Sequence, residues 1–255
     1  TIVSGQRARR ELLKEFPEQV LSTWLSDETP EQVIDNHLVP YAEAFTQVLA
    51  PTFGPGQEWD DVNEWLRRLD RLDNTDWRPS VLWILRHHSD DPLTLSLLLQ
   101  KVERLAASLL LRRAYATPRA ARYLDLLSQL KAGQGADAPA FELSEAERIE
   151  ARASLDGDLY QTFQSKRLRY ILLRLDSLLA NKPGVQYFPA QISIEHVLPQ
   201  APAADSAWLS DFDEVAREKW THRLGNLLLL SRYKNSQAQN YDFEKKKAKY
   251  FNTSG

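Results

Sequence analysis

The chain has 255 residues, of which 43% are hydrophobic and 26% charged, and its net charge is −3, a composition typical of globular proteins and not of disordered chains. No apolar run approaches the roughly 18 residues of a membrane-spanning helix, and no secretory signal pattern opens the sequence. Cysteine is absent, which excludes disulfides and thiolate zinc sites, and we expect a reducing, cytoplasmic setting.

The first 180 residues predict helices almost throughout. Capping boxes at Thr29 and Ser144 and the cap-then-proline pairs at Asp91 and Thr117 mark four helix starts. Pro40 is expected to kink or end the helix that begins after Thr29. Between these signals apolar residues recur at helical spacing, and one broad buried face is expected to hold the following residues: Leu93, Leu97, Val102, Leu105, Leu109 and Leu110.

A break at 131–140, "KAGQGADAPA", is small, polar and contains two glycines and a proline, so it is expected to be either a domain boundary or a long mobile loop. After it, one amphipathic helix is predicted over residues 159–180, with a stop signal at 181–184. These patterns predict a helical body over 1–184, with a possible internal break at 131–140.

From Val185 onward the pattern changes to alternating β-branched and aromatic residues, which predicts a short strand ending at Glu195-His196. A helix capped by Ser210, a second strand "NLLLL", a helix opened by Ser231 and a final helix over 241–251 follow. The predicted fold class is therefore mainly α, with a helical body followed by a small ββα unit over 185–255.

Basic residues are concentrated near the C-terminus. Residues 215–251 contain nine Lys/Arg and three acids, a net charge of +6, so the remainder of the chain carries −9. Such a segment is a candidate polyanion-binding face, and a solvated basic helix is the alternative interpretation.

Five residues of the C-terminal part have the order and spacing of a known nuclease motif. They are Glu195-His196 at a strand end, Pro199 three residues after the histidine, Asn226 on the next strand, and Asn235 nine residues later. This pattern resembles the HNH, or ββα-metal, nuclease motif. More closely, "IEHVLPQ", "HRLGNLLLLS" and the following "KN" resemble the C-terminal nuclease domain of GmrSD-type restriction enzymes and of the related SspE-like phage-defence proteins, over about residues 190–251.

The resemblance implies a role for each motif residue. His196 would be the general base that takes a proton from water, and Asn226 would brace the loop that holds His196. Glu195 and Asn235 would be ligands of Mg²⁺ or Mn²⁺, which stabilises the charge on the phosphate. An asparagine in the third motif position, where the motif's name has histidine, favours these hard ions over zinc.

Six further residues are candidates for contacts with the DNA backbone: His222, Arg223, Arg232, Lys234, Lys246 and Lys247. A packing or surface role is the alternative for His222, and a solvated helix face is the alternative for Lys246 and Lys247. No function is assigned to His37 or to the adjacent His87-His88, whose side chains would point about 100° apart on a helix.

The expected function is that of a metal-dependent endonuclease that nicks or cuts double-stranded DNA in restriction or antiviral defence. The families that it resembles have an upstream nucleotide-hydrolysing sensor, and the chain has no phosphate-binding loop motif, so such a sensor is expected before Thr1. Two alternatives stay open: a non-catalytic binding module for nucleic acid or protein on the same scaffold, and an RNase or toxin-type nuclease.

Overall fold

A computed structural model of the protein describes residues 1–5, 12–179, 192–233, 235 and 240–248. These residues are mainly helical, with a two-stranded antiparallel sheet near the C-terminus. The chain divides into two compact units, Thr1–Arg148 and Ile149–Gly255. No helix in the described ranges combines the length and the apolar character needed to cross a membrane.

The first unit is built from helices joined by short turns. Its α-helices are α1 (Leu12–Phe16), α2 (Ser22–Trp24), α3 (Pro30–Val33), α4 (Val39–Leu49), α5 (Gln57–Asp70), α6 (Arg78–His87), α7 (Pro92–Leu111) and α8 (Ala116–Lys131). Two π-turns lie over Pro17–Leu21 and Ile34–Leu38, and two 3₁₀ turns over Gly135–Asp137 and Pro139–Phe141. In the core, α5 packs against α7, and α6 packs against α4 and α8.

The buried face of α7 differs from the predicted one at its beginning. Leu95, Leu98 and Leu99 are buried, whereas Leu93 is 67% exposed and Leu97 is 44% exposed. The helix is rich in leucine on more than one side, so periodicity alone permits two faces, and packing against α5 selects the face that begins at Leu95.

Of the four caps predicted in the first 180 residues, three are confirmed. In the boxes at Thr29 and Ser144 the hydroxyl accepts the N–H of the third helical residue, and the side chain of that residue accepts the N–H of the cap. The carboxylate of Asp91 accepts a backbone N–H in the first turn of α7. The cap at Thr117 is wrong, because α8 begins at Ala116 and includes Thr117.

Two irregular segments are accommodated within the first unit. Pro40 lies in the first turn of α4, directly after the π-turn Ile34–Leu38, and the backbone is helical throughout 30–49, so the proline does not end the helix. In the segment 131–140, Ala138 and Ala140 are buried, and the N–H of Ala140 donates to the side chain of Gln129. This segment is therefore a packed connection of the first unit.

The second unit contains both strands. Helix α9 (Glu145–Leu155) crosses the border between the units, and the elements after it are α10 (Leu159–Thr162), α11 (Ser165–Leu179), β1 (Ile192–His196), α12 (Trp208–Asp211), α13 (Glu214–Trp220), a 3₁₀ turn (Leu224–Asn226), β2 (Leu227–Ser231) and α14 (Phe243–Lys246).

The helices around the strands are shorter than the sequence predicted. The single helix predicted over 159–180 is divided into α10 and α11, and the stop signal at 181–184 lies outside the described residues. The cap predicted at Ser210 is wrong: the carboxylate of Asp213 accepts a backbone N–H of α13 at 2.7 Å, because the chain forms two short helices here. Most of the helix predicted from Ser231 also lies outside the described residues.

The sheet places the end of β1 beside the start of β2. Both predicted strands are confirmed, except that Asn226 lies in the 3₁₀ turn before β2 and not on the strand. They pair in antiparallel register from Ile192 opposite Ser231 to His196 opposite Leu227. Helix α11 packs against β2 and belongs to the second unit, whereas the border predicted at 184/185 lies outside the described residues and stays a prediction.

Candidate active site

The loop that follows β1 is held by the side chain of Asn226. Its Oδ1 accepts the N–H of Leu198 at 2.6 Å, and its Nδ2 donates to the carbonyl oxygens of Leu198 at 2.9 Å and Thr221 at 2.8 Å. The backbone oxygen of Asn226 accepts the N–H of Val197 at 3.0 Å. These bonds tie the two residues after His196 to the start of β2.

His196, the last residue of β1, lies in a cluster of three rings and is 6% exposed. The Tyr160 and His196 rings form a T-shaped contact with a centroid distance of 4.3 Å, and the His222 ring lies 5.7 Å from that of His196 and nearly perpendicular to it. The Nδ1 atom of His196 is 3.4 Å from the amide nitrogen of Gln200. Its Nε2 atom is buried and has no hydrogen-bond partner among the described residues.

This environment determines the charge of the imidazole. Burial lowers the pKa of His196 to about 4, and the positive charges of His222 and Lys246 act in the same direction. The ring is therefore neutral at pH 7, and a neutral imidazole has a nitrogen lone pair that can accept a proton.

Glu195, next to His196, forms a buried ion pair with Lys246 of α14. The ammonium of Lys246 donates to Glu195 Oε1 at 2.7 Å, and also to the carbonyl oxygens of His196 at 2.7 Å and Val197 at 3.1 Å. Lys246 is 0% exposed. The expectation that this side chain contacts the DNA backbone is corrected, because its ammonium is buried against the end of β1.

Asn235 lies alongside the same strand. Its Nδ2 atom donates to Ser193 Oγ at 2.8 Å and to the carbonyl oxygen of Ile194 at 3.2 Å. Because side chains alternate along a strand, Ser193 and Glu195 point to the same face. The structure thus brings Asn235 to the face of β1 that also carries the carboxylate.

The donor chemistry of Glu195 and Asn235 fits a hard divalent ion. Of the two oxygens of the Glu195 carboxylate, Oε1 alone accepts a hydrogen bond from a described residue. Within the same ranges no three His, Asp or Glu side chains come together as a metal site. Magnesium needs only one or two protein oxygens and takes its other ligands from water and substrate.

The part of the chain that contains this site also matches a known protein family. Residues 145–254 match the GmrSD restriction endonuclease C-terminal domain family. This GmrSD-like region, residues 145–254, begins at the first residue of α9 and includes β1, β2 and α14. The match points to a function of the restriction-endonuclease type. No curated protein and no solved structure matched the chain.

The cationic candidates of the GmrSD-like region differ in their surroundings. Arg223 pairs with Asp156 at 3.0 Å and lies over the ring of Trp220 at 5.6 Å. Arg232 and Lys247 are exposed, and Lys234 lies outside the described residues.

His222, unlike the exposed cations, packs against the rings of Tyr160 and His196. Its carbonyl oxygen accepts the N–H of Tyr160 at 3.1 Å, and its ring stacks on that of Tyr160 at a centroid distance of 5.7 Å. Its Nδ1 atom is buried without a hydrogen-bond partner among the described residues. His222 therefore packs against His196 in the structure. Its contact with a DNA phosphate stays a prediction.

Sequence reasoning missed Tyr160 and gave Lys246 the wrong role. Tyr160 lies 36 positions before His196, and no motif links the two. Lys246 and Lys247 are adjacent and are both expected from the sequence to contact the DNA backbone, so the sequence does not identify which of them is buried. Positions 246 and 247 lie three and four residues after Phe243, so helical spacing places both on its side and does not select Lys246.

Proposed function

We propose that the GmrSD-like region is a metal-dependent endonuclease that hydrolyses phosphodiester bonds of double-stranded DNA, as an effector in defence against phage or other foreign DNA. The observation that carries the proposal is His196: a neutral, buried imidazole at a strand end whose Nε2 atom has no described hydrogen-bond partner. The match to the GmrSD restriction endonuclease family supports the same reaction class.

In this proposal His196 is the general base. Its Nε2 atom accepts a proton from the water that attacks the phosphorus, which requires a neutral ring and an opening of the Tyr160 contact that lets this water reach the buried atom. Asn226 keeps the backbone after His196 in place by its bonds to Leu198 and Thr221, so the ring is positioned before the substrate arrives.

Glu195 and Asn235 are the residues that would hold Mg²⁺ or Mn²⁺. When bound, such an ion supplies Lewis-acid stabilisation of the charge on the phosphoryl oxygens and on the leaving oxygen. The two side chains contribute one carboxylate and one amide on the same face of β1.

The exposed cations would supply the affinity for DNA. Arg223, Arg232 and Lys247 have side chains that reach solvent at least in part, and Lys234 stays a candidate from the sequence. Contacts of this kind are made to phosphates, so binding is expected to weaken with salt and to show little sequence preference. The cytoplasmic setting and an upstream nucleotide-hydrolysing partner stay predictions.

A plasmid-nicking assay tests the proposal. Wild-type protein should convert supercoiled DNA in the presence of Mg²⁺ or Mn²⁺ and not in the presence of a chelator, and His196→Ala should abolish conversion. His87→Ala is the matched control, because His87 is exposed and stacks on Trp83 in the first unit, far along the chain from the motif. Cleavage retained by His196→Ala would remove the catalytic assignment.

The same assay separates the two alternative functions. A non-catalytic binding module would bind DNA and leave it intact with every ion. An RNase or toxin-type nuclease would cleave RNA and spare DNA when both substrates are offered side by side.

A further inference from the structure

Lys246 is fully buried, and its hydrogen-bonding capacity is fully used. An ammonium has three N–H donors, and here they meet three oxygens: Glu195 Oε1, the His196 carbonyl and the Val197 carbonyl. The side chain therefore occupies an oxygen-lined position of the kind that a bound cation takes.

The positive charge of Lys246 lies beside the proposed metal ligand Glu195. The ammonium lies 2.7 Å from one oxygen of Glu195, the carboxylate proposed to hold a divalent ion. A fixed positive charge so close repels a second cation, and the repulsion is strong because burial reduces the screening by water. The carboxylate thus interacts with an internal cation before any metal ion arrives.

The two carbonyl contacts of Lys246 have a second consequence. They hold the backbone at His196 and Val197, while Asn226 holds the N–H groups of Val197 and Leu198 from the other side. The end of β1 is therefore fixed by α14 and by the start of β2 together, and the His196 ring extends from this fixed backbone.

We propose that Lys246 is a positioning residue for the reaction, an internal cation that orients Glu195 and His196 and at the same time lowers the affinity of Glu195 for the divalent ion. This inference rests on the proposed function. Lys246 then weakens the binding of the divalent ion and at the same time promotes cleavage.

Lys246→Met removes the ammonium while keeping an unbranched side chain. Mn²⁺ affinity, measured by electron paramagnetic resonance without DNA, should rise about tenfold or more, since the repulsion is gone. Cleavage at saturating Mn²⁺ should fall about 100-fold, because the end of β1 loses its fixed geometry. Damage to the fold would lower both quantities, so a change in opposite directions identifies the proposed role.

Lys245→Met is the matched control. Lys245 is exposed on the same helix, and its ammonium lies over the ring of Tyr241 at 3.3 Å. The same charge is removed one residue away, and Mn²⁺ affinity should stay within about twofold of wild type because exposed charges are well screened.

Lys246→Gln is the second variant, because burial of an unpaired Glu195 carboxylate can prevent folding of Lys246→Met. The amide keeps donors for the two carbonyl oxygens and lacks the charge, so metal affinity should rise while cleavage falls less than in Lys246→Met. Circular dichroism checks that each variant is folded.

The outcomes separate this inference from the proposed function. If wild-type protein neither binds Mn²⁺ nor cleaves DNA, the proposed function fails. If wild type does both and the folded Lys246 variants bind Mn²⁺ no more tightly, only the role of Lys246 is overturned. Loss of folding in both variants would also overturn it, because Lys246 would then act on stability alone.

Discussion

The side chain of Asn226 bonds to both the N–H and the carbonyl of Leu198, two residues after His196. A third bond reaches the carbonyl of Thr221. Because Asn226 is buried, its removal leaves these backbone groups without partners and without access to water.

Asn226→Ala should therefore destabilise the protein by about 2–4 kcal/mol, measured by urea unfolding. Asn36→Ala, at an exposed position of the π-turn in the first unit, should stay within about 0.5 kcal/mol of wild type. Equal unfolding midpoints for wild type and Asn226→Ala would show that these bonds do not stabilise the fold.

The buried imidazole of His196 predicts a loss of stability in acid. Its pKa is about 4 in the folded protein and about 6.5 in the unfolded chain, so the unfolded chain binds more protons between these values. The stability that depends on the neutral ring is present above pH 6.5 and is lost as the pH falls towards 4. The rings of Tyr160 and His222, the Gln200 amide and the Lys246 ammonium surround His196, and none of them carries a negative charge to offset its protonation.

Urea unfolding of wild type and His196→Gln at pH 7.5 and pH 4.5 measures the contribution of His196 to the loss of stability in acid. The other groups titrate in both proteins, so their contribution cancels in the comparison. Wild type should lose more stability than His196→Gln on acidification. A parallel loss in the two proteins would mean that His196 is not buried in its neutral form.

Tyr160 covers the ring of His196, and the residue is itself 37% exposed. Tyr160→Ala should open His196 Nε2 to reagents, so acylation by diethyl pyrocarbonate, followed residue by residue with mass spectrometry, should become faster at His196. Tyr115→Ala is the control, since Tyr115 is 84% exposed in the first unit. An unchanged rate at His196 would show that Tyr160 does not control access to it.

Lys246 and Lys247 are neighbours in sequence and differ completely in exposure, which allows a clean test of the DNA-binding surface. In a His196→Ala background, Lys247→Gln should reduce the slope of log affinity against log salt by about 1, because one phosphate contact is lost. The buried Lys246 should leave that slope unchanged when replaced by Gln. Fluorescence anisotropy with a labelled duplex gives both slopes, and equal slopes for wild type and Lys247→Gln would remove Lys247 from the DNA contacts.

The sequence predicted local features well, because short-range signals determine them. The boxes at Thr29 and Ser144 and the strand end at His196 follow from residues within a few positions of each other. The burial of Lys246 did not follow, since lysine is normally exposed and only the packing of α14 against β1 buries it. The contact of Tyr160 with His196 also depends on packing between distant segments, which no local pattern encodes.

Strand β2 has leucine at four successive positions, 227 to 230, so its side chains alone cannot distinguish one alignment with β1 from the next. A slip by one residue would exchange the two faces of the ladder. The side chain of Asn226, directly before β2, removes this ambiguity, because it can reach Leu198 in one alignment only. A residue of the proposed site thus also determines the pairing of a strand whose own sequence is repetitive.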